Sequence, residues 1–145
     1  MSAPQTSERP DFPALVPLGA SHQTSLVVSH SLTVQATVPA LPPVYATPHM
    51  VMAMEIACSD LLGGFLPPDW VSVGALVNVK HLAATPEGFT VTVTARVVEV
   101  TKNLVTFEVE AHDGVDLIGK GQHSRAPIQN ERFMAGVARK QAQKP

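Results

Sequence analysis

The sequence predicts an α+β domain in which an antiparallel sheet wraps around a central helix. Three observations predict it. Residues 48–62 form an almost wholly apolar helical stretch behind a Thr47-Pro48 start. Four β-type runs follow, over residues 71–82, 88–101, 103–112 and 115–128. In the second of these, Thr90, Thr92 and Thr94 alternate with Val91, Val93, Ala95 and Val97, so one sheet face is dry and needs a cover.

Each element has a local cause. Residues 1–22 carry Pro4, Pro10, Pro13 and Pro17 among polar residues and read as a flexible leader; residues 23–145 form one domain. Leu26, Val28, Leu32 and Val34 share one parity, which predicts a half-buried strand over residues 24–34. Pro39, Pro42 and Pro43 then enforce an extended connection. Thr47 suits a helix N-cap and Pro48 the first helical position, while Gly63-Gly64 and Pro67-Pro68 stop the helix. Because that helix is apolar nearly all round, it is expected inside the fold. Turn signals at residues 85–88, at Lys102-Asn103 and at Asp113-Gly114 predict antiparallel neighbours, and residues 130–143 a short outer helix.

Composition narrows the function. The chain has 145 residues, 45% hydrophobic and only 15% charged, which predicts a surface partly covered by another subunit, an oligomer. Ten Lys and Arg against 12 Asp and Glu, with no basic run beyond Arg139-Lys140, exclude the electrostatic pattern of a nucleic-acid binder. No apolar run approaches the roughly 20 residues that span a bilayer, so a cytoplasmic protein with no membrane partner is expected. The lone Cys58 fits a reducing compartment.

Glu55 is the single carboxylate within the apolar segment from Met50 to Cys58. An ionised carboxylate buried there needs donors from elsewhere or a raised pKa, and such acids cluster at reactive sites. His81 shares parity with Val77 and Val79, which directs it toward the helix and near Glu55. His81, His112 and His123 could in principle form a metal set, but no paired ligand spacing supports one and no metal is expected.

A strand, a buried helix and an antiparallel meander follow the order of the hotdog fold. Three strings are more specific: Val44-Tyr45-Ala46-Thr47 with Met50-Val51 and Met54-Glu55-Ile56-Ala57-Cys58; Val79-Lys80-His81-Leu82-Ala83-Ala84-Thr85-Pro86; and Ala111-His112-Asp113-Gly114-Val115-Asp116-Leu117-Ile118-Gly119. Over residues 44–128 the chain resembles the fluoroacetyl-CoA thioesterase-like family of hotdog acyl-CoA thioesterases. The resemblance implies a homodimeric hydrolase of acyl-CoA thioesters with a Thr, Glu and His triad falling on Thr47, Glu55 and His81. It also implies that Gly74 and Arg125 contact the substrate region. Coenzyme A would be part of the substrate, with no other cofactor.

Beside that resemblance, Tyr45 is expected at the acyl entrance, and Arg125 either meets coenzyme phosphates or holds a carboxylate at the dimer seam. The stretch at residues 39–44 is shorter than the aromatic-rich lid of the fluoroacetate-specific member and lacks phenylalanine, which points to a broader or different short acyl group. Two other readings stand: a non-catalytic hotdog protein binding an acyl or aromatic ligand, and a hotdog lyase acting on enoyl or 3-hydroxyacyl thioesters.

Overall fold

The computed structural model describes residues 9–145. A short helix α1 (Phe12–Leu15) leads into β1 (Ser21–Val27); a 3-10 turn (His30–Leu32) and α2 (Val34–Thr37) precede the long helix α3 (Thr47–Gly63). Strands β2 (Trp70–His81), β3 (Thr90–Val100), β4 (Val105–His112) and β5 (Leu117–Gln129) and helix α4 (Asn130–Gln141) complete the chain. The sheet has the order β1-β3-β4-β5-β2, antiparallel throughout.

The dry face predicted on β3 is real: Val91, Val93 and Ala95 are fully buried and Val97 nearly so. With Val105, Phe107, Val109 and Ala111 of β4 they meet Met50, Met54, Ala57, Cys58 and Leu62 of α3. Each large apolar side chain buried in this way stabilises the fold by about 1.5–3 kcal/mol relative to exposure. Glycines on β5 let α3 and the neighbouring strand approach closely. A Cβ on Gly119 would stand 2.5 Å from Met50 Sδ, and one on Gly121 would collide with the Asn78 carbonyl oxygen of β2.

Several expectations are corrected. The expected leader lies outside the described residues as far as Glu8; beyond it, most of residues 9–20 are exposed but Phe12 and Val16 are buried. Phe12 is fully buried against Trp70, ring to ring at 5.4 Å, and Arg9 lies over both rings. Polar composition hid this anchor of two apolar residues, Phe12 and Val16. Strand β1 stops at Val27 instead of continuing to residue 34: the chain turns into the 3-10 segment His30–Leu32, after which the Thr33 hydroxyl donates to the His30 carbonyl and accepts from Ala36 N–H at the start of α2. Strands β2 and β3 do not pair, although the turn signal at residues 85–88 predicts antiparallel neighbours: β5 occupies the place beside β2, leaving β2 at the sheet edge.

Helix α3 is only partly enclosed. Met52 and Ile56 are about half exposed, at 52% and 49%, so its apolar circumference buries one side against the sheet and leaves the other open. The N-cap residue is Ala46, with Thr47 already helical and its hydroxyl bonded elsewhere.

Candidate functional site

The start of α3 and the end of β2 meet at one cleft. Backbone bonds from Tyr45 N–H to the Thr85 carbonyl and from Ala46 N–H to the Leu32 carbonyl fix the approach to the helix. Thr85 is itself held through its hydroxyl, which donates to Asp113 Oδ2 at 3.0 Å. Asp113 Oδ1 accepts from Val115 and Asp116 N–H, so the tight turn between β4 and β5 braces the helix approach from below. The Asp116 and Val115 amides, with the Thr85 hydroxyl, hold the Asp113 carboxyl below its ordinary value.

Within that cleft, Thr47 Oγ1 and His81 Nδ1 are hydrogen-bonded at 2.7 Å. The cleft has a volume of about 500 Å³ and is lined by Tyr45, Thr47, Pro48, His81 and Leu82 among others. Burial pulls the His81 imidazole below its ordinary value, against a weaker opposing influence of the Ala83 backbone, which favours the uncharged ring. Its other nitrogen, Nε2, is buried with no hydrogen-bond partner among the described residues. Tyr45 lines the cleft but is almost fully buried, its hydroxyl donating to the His49 carbonyl at 3.2 Å, and burial pushes its pKa up to about 12. It therefore serves as a wall and holds the first turn of α3.

Glu55 lies elsewhere. Eight residues beyond Thr47 on the same helix, it is about 12 Å further along the axis. It opens on a second cleft of about 310 Å³ with Met52, Ile56, Ser59, Ser72, Gly74 and Arg125, and no residue lines both clefts. Its side chain is 29% exposed in the single chain, not enclosed in the core as the apolar pattern implied. A Cβ on Gly74 would stand 2.7 Å from Glu55 Oε1, so the bare Cα is what admits the carboxylate to the strand.

The sequence expected His81 beside Glu55, but the imidazole there is His123. It is 1% exposed, with Nε2 at 3.9 Å from Glu55 Oε1. Arg125 is buried rather than extended to solvent. Its Nε donates to Ser72 Oγ at 2.8 Å, Nη2 to the Ser72 carbonyl at 2.9 Å and Nη1 to His123 Nε2 at 3.2 Å. These bonds place its charge beside Glu55 and leave little reach for coenzyme phosphates. The sequence missed Ser72 and His123 as part of this group; the alternation of His123 with Arg125 on one strand was the available signal. Lys80 and Lys120 are exposed, Lys120 at 3.8 Å from Glu110. Among the described residues no three His, Cys, Asp or Glu side chains gather as a metal set.

One helix cradled by a five-stranded antiparallel sheet, with a Thr-His pair at the helix start and an acid further along it, defines a hotdog protein of the thioesterase kind. The family model for fluoroacetyl-CoA-specific thioesterases matches residues 28–131, and the chain belongs to that family. A fluoroacetyl-CoA thioesterase from Streptantibioticus cattleyicolor is 48% identical over 99 residues, 68% of this chain and 71% of that protein. The solved structure of the fluoroacetyl-CoA thioesterase FlK superposes with a TM-score of 0.82 at 40% identity, covering 90% of this chain and 98% of that one. A hot-dog-like protein from Thermanaerovibrio acidaminovorans superposes at 0.83 with 28% identity, over 90% and 96% of the two chains.

Proposed function

We propose that this acyl-CoA thioester hydrolase cleaves a short or small acyl group from coenzyme A with Thr47, Glu55 and His81, in a site completed across the seam of a homodimer. The observation that carries the reading is the short Thr47-His81 bond in an open cleft at the N-terminal, electropositive end of α3. A hydroxyl held by a neutral imidazole at that point can position a thioester carbonyl and favour the negative charge that develops on its oxygen.

Glu55 is too far along α3 to reach the same carbonyl within one chain, so a second copy supplies it. Strand β2 is a sheet edge, and Met52 and Ile56 beside Glu55 are half exposed, which supports burial of this face against a partner. A two-fold axis perpendicular to α3 sets the two helices antiparallel, bringing the first turn of one beside residues two turns along the other. Tyr45 then walls the acyl side, while Gly74 and Arg125 fix the carboxylate.

Hydrolysis adds an oxygen to the carbonyl carbon and breaks the carbonyl-sulfur bond. Glu55 either attacks directly, giving a mixed anhydride that water then cleaves, or takes the proton of an attacking water; in both routes one proton reaches the departing thiolate, so acid and free coenzyme A leave. His81 holds Thr47 and relays that proton. Coenzyme A enters as part of the substrate, and no step calls for a metal or further cofactor. A reducing, cytoplasmic setting suits the buried free thiol of Cys58.

The relatives named for fluoroacetyl-CoA support a two-carbon or similarly small acyl group. The test is thiol release from acetyl-, fluoroacetyl-, propionyl- and benzoyl-CoA. The wild-type protein is expected to release coenzyme A from at least one small ester, and Glu55→Gln, Thr47→Ala and His81→Ala to lower kcat by about 10²–10⁴-fold. Absence of thiol release from every ester, or undiminished turnover by Glu55→Gln, contradicts the proposal.

A further inference from the structure

We infer that His123 is a positioning residue, which in one fixed tautomer locks the Arg125 guanidinium beside Glu55 and keeps the carboxylate free to react. The inference rests on the reading of Glu55 as the reacting acid. Its geometry stands independently.

Two bonds fix the tautomer. A carbonyl only accepts, so His123 Nδ1 carries the hydrogen that meets the Leu76 carbonyl at 2.8 Å. A guanidinium only donates, so His123 Nε2 presents its lone pair to Arg125 Nη1 at 3.2 Å. The ring is therefore neutral, with no proton to offer Glu55 Oε1 at 3.9 Å, and the carboxylate is not tied up by an imidazolium. Burial, aided by the Arg125 charge, keeps the ring below its ordinary value, against the Leu76 carbonyl and Glu55.

The neighbours complete the clamp. Leu76 follows the β2 irregularity between Gly74 and Leu76, and Arg125 holds Ser72 on the other side of it. His123 and Arg125 thus grip the strand segment whose bare Gly74 faces Glu55. Around the ring, β4 contributes the stacked Phe107 ring at 6.5 Å, β5 the charge of Arg125, and α3 that of Glu55. A proton on Nε2 would face the Arg125 donor and turn toward Glu55, dismantling the arrangement.

Two variants separate positioning from mere packing. In His123→Asn the amide nitrogen can replace Nδ1 toward Leu76, but nothing accepts from Arg125; in His123→Gln the longer amide restores that acceptor and forfeits the Leu76 bond. Turnover of the best acyl-CoA ester is expected to lose at least tenfold in kcat at nearly constant KM in His123→Asn, and to recover most of it in His123→Gln. Thermal melts of both check folding. Nitrogen-detected NMR of the wild-type imidazoles is expected to show His123 protonated at Nδ1 alone at neutral pH. Equal kcat in the two variants and wild type, or a proton on Nε2, overturns the inference. Failure of wild-type turnover instead overturns the assignment of Glu55, and the NMR result still decides the tautomer.

Discussion

Gly74 allows the Glu55 carboxylate to lie against β2, since any side chain at that position would stand 2.7 Å from Oε1. Gly74→Ala therefore displaces the acid without touching the core. We expect kcat to fall about 10–10²-fold, as for a misplacement of about 1 Å at a reacting group, with the melting temperature little changed; unaltered kcat would show that Glu55 acts from another position. At this scale the sequence revealed residue types more reliably than partners. Glu55 stood out because a lone acid interrupts an apolar helix, and Thr47 and His81 through the strings they occupy. Which imidazole meets which acid depends on the offset between β2 and α3, and a one-strand pattern does not carry it. His81 thus went to Thr47, and His123, on a strand three elements later in the chain, went to Glu55.

Among the elements, β5 does most to set close approaches, to α3 on one face and to β2 beside it in the sheet. Gly119 makes room for the Met50 and Met54 side chains, and Gly121 for the β2 backbone at Asn78 and Val79. Because the obstacle at Gly121 is main chain, which cannot rotate aside, Gly121→Ala is expected to destabilise the protein by about 1–3 kcal/mol in urea unfolding; a change within error would mean that β2 is free to shift. The strands after α3 were legible to within a few residues because β3, β4 and the turns at Lys102-Asn103 and Asp113-Gly114 obey local rules. The end of β1 was not, since the apolar parity continues through Leu32 and Val34 while the chain already leaves the sheet after Val27 for a 3-10 turn at His30–Leu32. Nor was strand order: antiparallel pairing is local only when strands are joined by a hairpin, and β2 reaches β5 across the whole meander.

For the whole molecule, buried imidazoles make stability depend on pH. His81 and His123 both have folded-state values depressed below 6.5, so the unfolded chain binds protons more readily between the two values. Their contribution is complete above 6.5 and is lost as the pH falls through the lower folded values; Asp113, depressed below 3.8, adds a second loss in stronger acid. Melting temperature is expected to decline on acidification from neutrality before carboxylates titrate, and a flat profile down to pH 5 would contradict the neutral state of both rings. The larger question at this scale is assembly. One chain divides the three side chains of the proposed triad between two clefts, while low overall charge, the β2 edge and the open Met52 and Ile56 face all favour a second copy. Co-expressing Thr47→Ala and Glu55→Gln chains with different tags, and isolating the mixed species, tests this directly. If each site takes Thr47 and His81 from one chain and Glu55 from the other, the mixed dimer holds one intact site and recovers roughly half of wild-type thiol release, although both parents are inactive. Mixed dimers as inactive as their parents would place the triad within a single chain and contradict the shared site.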